Sequence, residues 1–255
     1  MAVATSLRAG SSFLLAGSME DFAEQMNPST LAEVRRAEFR QASRVHGSWL
    51  AVPEKRLLVW MAERMPEWVS PDHLTFVGFA AQIATGVCYA LAGRDQRMLL
   101  AAIVCLAVNW FGDSLDGTLA RVRQQQRPRY GFYVDHMIDA IGTVAMMGGL
   151  ALSGYMHPAI AIGLLVAFLL LSIQSYLATY AVGEFHLSFW RFGPTELRVL
   201  LAVGNLALLR WAWVIHGQYR LFDIGGVIGL AGMVLMLAFF SLKNTVRLFR
   251  EERIA

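Results

Sequence analysis

Four aspartates in the middle of an otherwise apolar chain concentrate its chemical potential: Asp113, Asp116, Asp135 and Asp139. The first two are three positions apart and the last two four apart, so on α-helices each pair projects from one face. Two such faces can share one metal site. Carboxylate oxygens are hard donors that suit Mg²⁺ or Mn²⁺ rather than zinc, and ionisable groups inside a membrane helix are costly and usually functional. Gly117, Ala120 and Gly131 lie close to the carboxylates, where the lack of side-chain bulk lets a ligand approach the backbone. Arg121 follows as a phosphate-binding candidate. A purely structural role, with the acids paired inside a bundle, fails on charge: no Lys is near, and one Arg cannot neutralise four carboxylates that repel one another.

Written as spacing, Asp113 to Asp139 is D-x2-D-G-x2-A-R-x9-G-x3-D-x3-D. This resembles the signature of the CDP-alcohol phosphotransferase family at every fixed position. The resemblance implies transfer of a substituted phosphoryl group from a CDP-linked donor to a hydroxyl, with release of CMP. It also implies a two-metal site of Mg²⁺ or Mn²⁺, the cations about 3.5–4 Å apart and stabilising both attacking and leaving oxygens. By position in the motif, Asp113, Asp116 and Asp135 are metal ligands. Asp139 is a ligand or the base that takes the acceptor's proton, and Gly117, Ala120, Arg121 and Gly131 line the CDP pocket together with Asp113, Asp116 and Asp135.

The run Gly131-x3-Asp135-His136-x2-Asp139-Ala140 is similar to the form in choline and ethanolamine phosphotransferases, which use a CDP-amino-alcohol and diacylglycerol. That likeness makes His136 an alternative general base; a lone His beside a carboxylate is also often just a hydrogen-bonded structural partner. The other branch takes CDP-diacylglycerol and a polar alcohol such as inositol phosphate, glycerol phosphate or serine. A phosphorylated acceptor needs a basic pocket, for which Arg191 and Arg198 are candidates, although flanking charge explains them equally well.

The elements that position these residues must be membrane helices. Apolar residues make up 56% of the 255-residue chain, and the mean hydropathy is +0.46, which describes an integral membrane protein. We expect an all-α polytopic bundle of six transmembrane helices over 71–248, near 74–93, 98–121, 132–155, 158–182, 195–216 and 224–246. An N-terminal cytoplasmic or interfacial region over 1–70 precedes it, and a cytoplasmic tail over 249–255 follows. The N-terminal region, the 121–131 and 183–198 loops and the tail from Lys243 hold 18 of the 22 Lys and Arg, so both termini face the cytoplasm by the positive-inside rule. A cleft at the cytoplasmic end of spans two and three admits a soluble nucleotide from one side and a lipid from the bilayer.

Residues 1–28 read as a loosely ordered tail with no cleaved signal peptide, and Thr30-x-x-Glu33 opens a charged helix. Behind Pro53, Leu57, Trp60, Met61 and Met65 form the apolar face of an interfacial helix, with Glu54, Lys55 and Glu63 pointing elsewhere. Ser70 to Thr75 resembles the family's P-N-x-(L/I)-T entry to the first span, with Asp72 in place of Asn. Thr195 reads as a helix cap and Glu196 as a first-turn acid, Glu196 being also a secondary site candidate. Gln174, Ser175 and Tyr176 are polar interruptions that could face the cavity. Gly225-x3-Gly229 with Gly232 suggests close helix packing, and a homodimer fits the family.

Other classes fit less well. Basic residues without interleaved aromatics give no nucleic-acid surface. Cys88 and Cys105 fall inside spans and indicate no disulfide framework. A membrane prenyltransferase needs a second Asp-rich motif on distant helices, and a transporter calls for inverted repeats and broken helices; neither pattern is present.

Overall fold

The computed structural model describes residues 51–182, 193–214 and 218–252. The expected tail, the helix opening at Thr30 and Arg191 lie outside these residues. Among the described residues there are seven α-helices: α1 (Ala51–Glu63), α2 (Pro71–Ala92), α3 (Met98–Val122), α4 (Pro128–Leu152), α5 (Pro158–Val182), α6 (Pro194–Leu208) and α7 (Leu221–Glu251). A two-residue antiparallel ladder, Trp213–Val214 with Tyr219–Arg220, joins α6 to α7.

Proline marks where four of the helices begin, because its fixed φ suits the first turn and its missing N–H would be unpaired there anyway. Ser70 caps α2: its hydroxyl accepts from the His73 amide at 3.2 Å while the Ser70 amide donates to His73 Nδ1. Gly154, with φ +76°, supplies the left-handed step that ends α4. Arg123 ties the end of α3 to the turn between α1 and α2, donating to the carbonyls of Met65 and Pro66 at 2.9 Å and to that of Val69.

The expected spans are recognisable as α2 to α7. Among the described residues four helices are long and apolar enough to cross a bilayer: α2, α3, α5 and α7. Helix α4 has 25 residues, but Arg129, Asp135, His136 and Asp139 crowd its first half and lower its hydropathy. Helix α6 has only 15 residues, about 22 Å at the usual rise and short of a hydrocarbon core of about 30 Å. The span expected over 195–216 therefore stops at Leu208, and the chain turns into the small ladder where Arg210, Trp211 and Trp213 favour an interface.

Helix α2 is the centre of the bundle, packed against both α3 and α4; α4 leads to the α5–α7 pair, and α1 and α6 both pack on α3. Two buried clusters flank the aspartate motif. Tyr89, Leu99, Leu150 and Leu208 belong to one, and Leu58, Ala62, Leu115 and Leu119 to the other. Outside these clusters the surface is apolar, with Phe76, Leu152, Leu177 and Leu235 turned outward. Only 6% of the spanning window of α7 is buried, as suits a helix solvated by lipid.

Glycines allow α2 its close contacts. A Cβ on Gly112 of α3 would lie 2.6 Å from the Gly78 nitrogen and the Leu74 oxygen, and one on Gly149 of α4 would fall on the Gly86 carbonyl. The glycines expected to pack α7 behave differently. Gly225 and Gly232 have nothing within 4 Å, while Gly226 and Gly229 face side chains of α5, including Leu164.

The α2–α3 contact has a measurable cost if disturbed. Gly112→Ala forces backbone apart and should lower the stability of the detergent-solubilised protein by about 1–3 kcal/mol. Gly148→Ala, where a methyl meets nothing within 4 Å, should be neutral or stabilising by up to about 1 kcal/mol. Thermal unfolding of the two variants compares them, and equal melting temperatures would refute the close-packing account.

Candidate active site

Helix α3 presents a polar stripe in an apolar context. Asn109, Asp113 and Asp116 recur at helical spacing on one face, turned toward α2, while Asp139 approaches from α4. Asp113, Asp116 and Asp139 line one cleft with Thr75, Gly78 and Gln82 of α2. Asp135 is half-buried and does not line that cleft, but it acts electrostatically on Asp116 and Asp139. Asp113, Asp116 and Asp139 thus share one cleft, with Asp135 one turn before Asp139 on α4.

Two of the acids lining the cleft have hydrogen-bonded partners. Asp116, only 7% exposed, accepts a 2.6 Å hydrogen bond from Thr75 Oγ1 and another from the Gly117 amide. Asp113 Oδ2 pairs with Arg198 Nη2 of α6 at 2.6 Å. The same guanidinium donates through Nε to Asn109 Oδ1 at 2.8 Å, and Asn109 Nδ2 in turn donates to the Gly78 carbonyl at 2.9 Å. Arg198 acts electrostatically on Asp139 as well. Among the described residues no three acidic, His or Cys side chains stand close enough to hold a cation. The donor set itself, carboxylate oxygens only, fits a hard divalent ion.

The remaining motif residues divide between cleft and rim. Gly117 and Gly131 are half-buried, and neither is kept small by packing: a Cβ at Gly131 meets nothing within 4 Å, and one at Gly117 meets only the Arg121 guanidinium at 3.4 Å. Arg121 is exposed on the last turn of α3, where Nη2 donates to Thr118 Oγ1 at 2.9 Å. Ala120 does not line the cleft; its carbonyl accepts from the Gln125 amide in the turn that follows. His136 lies on the α4–α5 side, away from the cleft lining. Its ring packs edge-on to Tyr176 of α5, centroids 4.9 Å apart, and Nδ1 donates to the Phe132 carbonyl. That bond fixes the orientation of the ring on α4.

Several secondary readings change. Asp72, where the family pattern has Asn, forms an ion pair with Arg127. Thr195 does not cap α6: Gly193 holds that position, its amide donating to Glu196 Oε2 at 2.9 Å, while the Thr195 hydroxyl reaches Glu54. Glu54, expected to point away from the Leu57 and Trp60 face of α1, does so and turns toward the bundle with Leu58 and Ala62, while Leu57 and Trp60 are exposed. Thr75, Asn109 and Glu54 were not singled out as site residues. Asn109 could have been, since it stands one turn before Asp113 in an apolar helix.

Sequence comparison adds an independent line. The family profile for CDP-alcohol phosphatidyltransferases matches residues 68–241. Human cholinephosphotransferase 1 is 26% identical over 132 residues, covering 49% of this chain and 32% of its own length. The Mus musculus protein of the same name is 24% identical over 184 residues, 69% of this chain and 46% of its own length. Archaetidylinositol phosphate synthase of Pyrococcus horikoshii is 33% identical over 113 residues, 44% of this chain and 53% of its own length. The matched stretches thus span from a third to about half of these relatives.

Arg198 is the cation in this network most open to test. Arg198→Ala strands Asn109 and Asp113 and should cost about 1–3 kcal/mol of stability. Arg198→Lys should recover only part of that, because an ammonium cannot serve both partners as a guanidinium fork does. Unfolding in detergent measures both, and an Ala variant as stable as the parent would show that the bridge contributes nothing.

Proposed function

We propose, from the premise that this chain belongs to the CDP-alcohol phosphatidyltransferase family, that it transfers a substituted phosphoryl group from a CDP-linked donor to an alcohol and releases CMP. The observation that carries this reading is the gathering of Asp113, Asp116 and Asp139 from two helices around one cleft, with Asp135 in electrostatic range. Like charges in a partly buried site call for cations. Divalent ions of the Mg²⁺ or Mn²⁺ kind, held by Asp113, Asp116 and Asp135 with Asp139 as a further ligand, would supply neutralisation of the charge that builds on the pyrophosphate oxygens.

The chain's own residues do the positioning and the proton chemistry. Open space beside Gly131 lets the donor approach helix backbone, and Arg121, whose guanidinium lies beside Gly117, contacts its diphosphate. His136, fixed in orientation by Phe132 and Tyr176, takes the acceptor's proton on Nε2, with Asp139 as the alternative base. Its position between α4 and α5 suits an acceptor arriving from the bilayer. We read the bundle as crossing the membrane six times, the 15-residue α6 being accommodated by local thinning of the bilayer beside Arg210 and the tryptophans that follow it, with both termini cytoplasmic and the cleft open to cytosolic nucleotide.

Within this reaction class we favour a CDP-amino-alcohol donor and diacylglycerol as acceptor, on the Asp135-His136-x2-Asp139-Ala140 run and on similarity to cholinephosphotransferases. A second reading, CDP-diacylglycerol with a polar phosphorylated alcohol, is supported by similarity to an archaetidylinositol phosphate synthase and by the guanidinium of Arg198 beside the cleft. Purified protein given both donor classes with their acceptors distinguishes the two by the product lipid. Turnover should vanish in EDTA, and Asp113→Asn, Asp116→Asn or Asp135→Asn should each cost about 10²-fold or more; undiminished turnover in excess chelator would sink the metal model. His136→Ala should lower turnover by about 10²–10⁴-fold with donor binding nearly intact. Near-normal turnover would instead transfer the role of base to Asp139.

A further inference from the structure

Helix α1 contributes one carboxylate that the reaction chemistry does not use. Glu54 Oε1 accepts from Trp110 Nε1 at 2.7 Å, from Thr195 Oγ1 at 2.8 Å and, more distantly, from Ser114 Oγ at 3.5 Å. Trp110 and Ser114 directly follow Asn109 and Asp113 on α3, and Thr195 stands one turn before Arg198 on α6. The same two helices are therefore cross-linked at two adjacent levels. Arg198 reaches Asn109 and Asp113 at one level, and Glu54 gathers Trp110, Ser114 and Thr195 at the next.

The far end of α6 is held by Asn205, which donates to the Tyr89 hydroxyl at 3.0 Å, and by Gln96, which donates to the Leu208 carbonyl at 3.2 Å; the end beside the cleft has the Arg198 and Glu54 contacts. The helix is 15 residues long, packs mainly on α3, and Asn205 and Leu208, at its far end, are its only residues buried as side chains among those described. Charge-assisted hydrogen bonds are stronger and more directional than apolar contact, and Glu54 is itself fixed, because Leu58 and Ala62 one and two turns on are buried with Leu115 and Leu119 of α3. We propose that Glu54 is a positioning residue: it sets the register of α6 on α3 and so holds the Arg198 guanidinium against Asp113 in the cleft. The first helix is then part of the frame of the site as well as a contact with the membrane surface.

The kinetic test rests on the reaction proposed above and uses the full chain with whichever substrate pair gives turnover. Glu54→Ala should lower kcat by about 10–100-fold, the scale of a misplaced site group, and Glu54→Gln, which keeps an acceptor oxygen of the same reach, should restore most of it. If Glu54 acts through Arg198, Glu54→Ala adds almost nothing in an Arg198→Ala background. Losses that multiply, or a Glu54→Ala enzyme within about twofold of the parent, overturn the proposal. Should Glu54→Ala not fold, Thr195→Val removes one donor at constant size, and its smaller loss must likewise disappear in the Arg198→Ala background. If no substrate pair releases CMP, the reaction assignment fails on its own, and positioning is judged by spin-label distance. Labels at Val104 of α3 and Leu200 of α6, 62% and 57% exposed, with Cys88 and Cys105 replaced by Ala, should give a broadened or shifted distance in Glu54→Ala and a parental one in Glu54→Gln. An unchanged distance in Glu54→Ala overturns the proposal.

Discussion

Backbone meets backbone where Gly112 of α3 lies against Gly78 of α2, and the geometry of the acidic cleft depends on that approach. A Cβ on Gly78 would sit 3.1 Å from the Asp113 amide, so the contact falls at the motif itself. Any larger residue would move α3 outward, and Thr75 would no longer reach Asp116. Small residues at crossings are how membrane helices gain van der Waals contact when no hydrophobic effect drives them together. Here the same economy of volume brings the Thr75 hydroxyl onto Asp116 and lets three carboxylates line one cleft.

Bringing acids together in an apolar bundle is costly, and the surrounding polar groups are arranged to offset part of the cost. Asp116 receives a hydroxyl and an amide, and Asp113 receives Arg198, whose other arm is satisfied by Asn109, itself anchored on Gly78. The chain of contacts runs from α6 through α3 to α2 without leaving the site. One guanidinium still leaves four carboxylates undercompensated, which is the physical ground for expecting divalent cations.

Helix α1 is amphipathic in an unusual division. Its apolar residues occupy two sides: Leu58 and Ala62 bury against α3, while Leu57 and Trp60 face outward. The polar residue between them, Glu54, is drawn inward because Trp110, Ser114 and Thr195 each carry a donor that would otherwise lack an acceptor in apolar surroundings. The first helix is in this way fastened to α3, the helix that carries Asp113 and Asp116.

The sequence by itself determined the membrane class, the positions of most helices and the pairing of acids within each helix. Composition, apolar run length, proline starts and the 3.6-residue repeat are local properties, and α5 begins and ends at the residues expected, Pro158 and Val182. It also identified the family motif, since fixed spacing along two helices survives in the string of letters. Tertiary structure alone decided which residues answer those acids. Arg198 stands 85 positions from Asp113 and Glu54 stands 141 from Thr195, distances across which periodicity carries no information. The same holds for the crossings: within the chain Gly78, Gly86, Gly112 and Gly149 pack against backbone, whereas a Cβ on Gly225 or Gly232 meets nothing within 4 Å. The early end of α6 was hidden for a related reason, because an apolar run such as 201–209 reads the same whether it continues across the bilayer or stops where Arg210 and the tryptophans meet an interface.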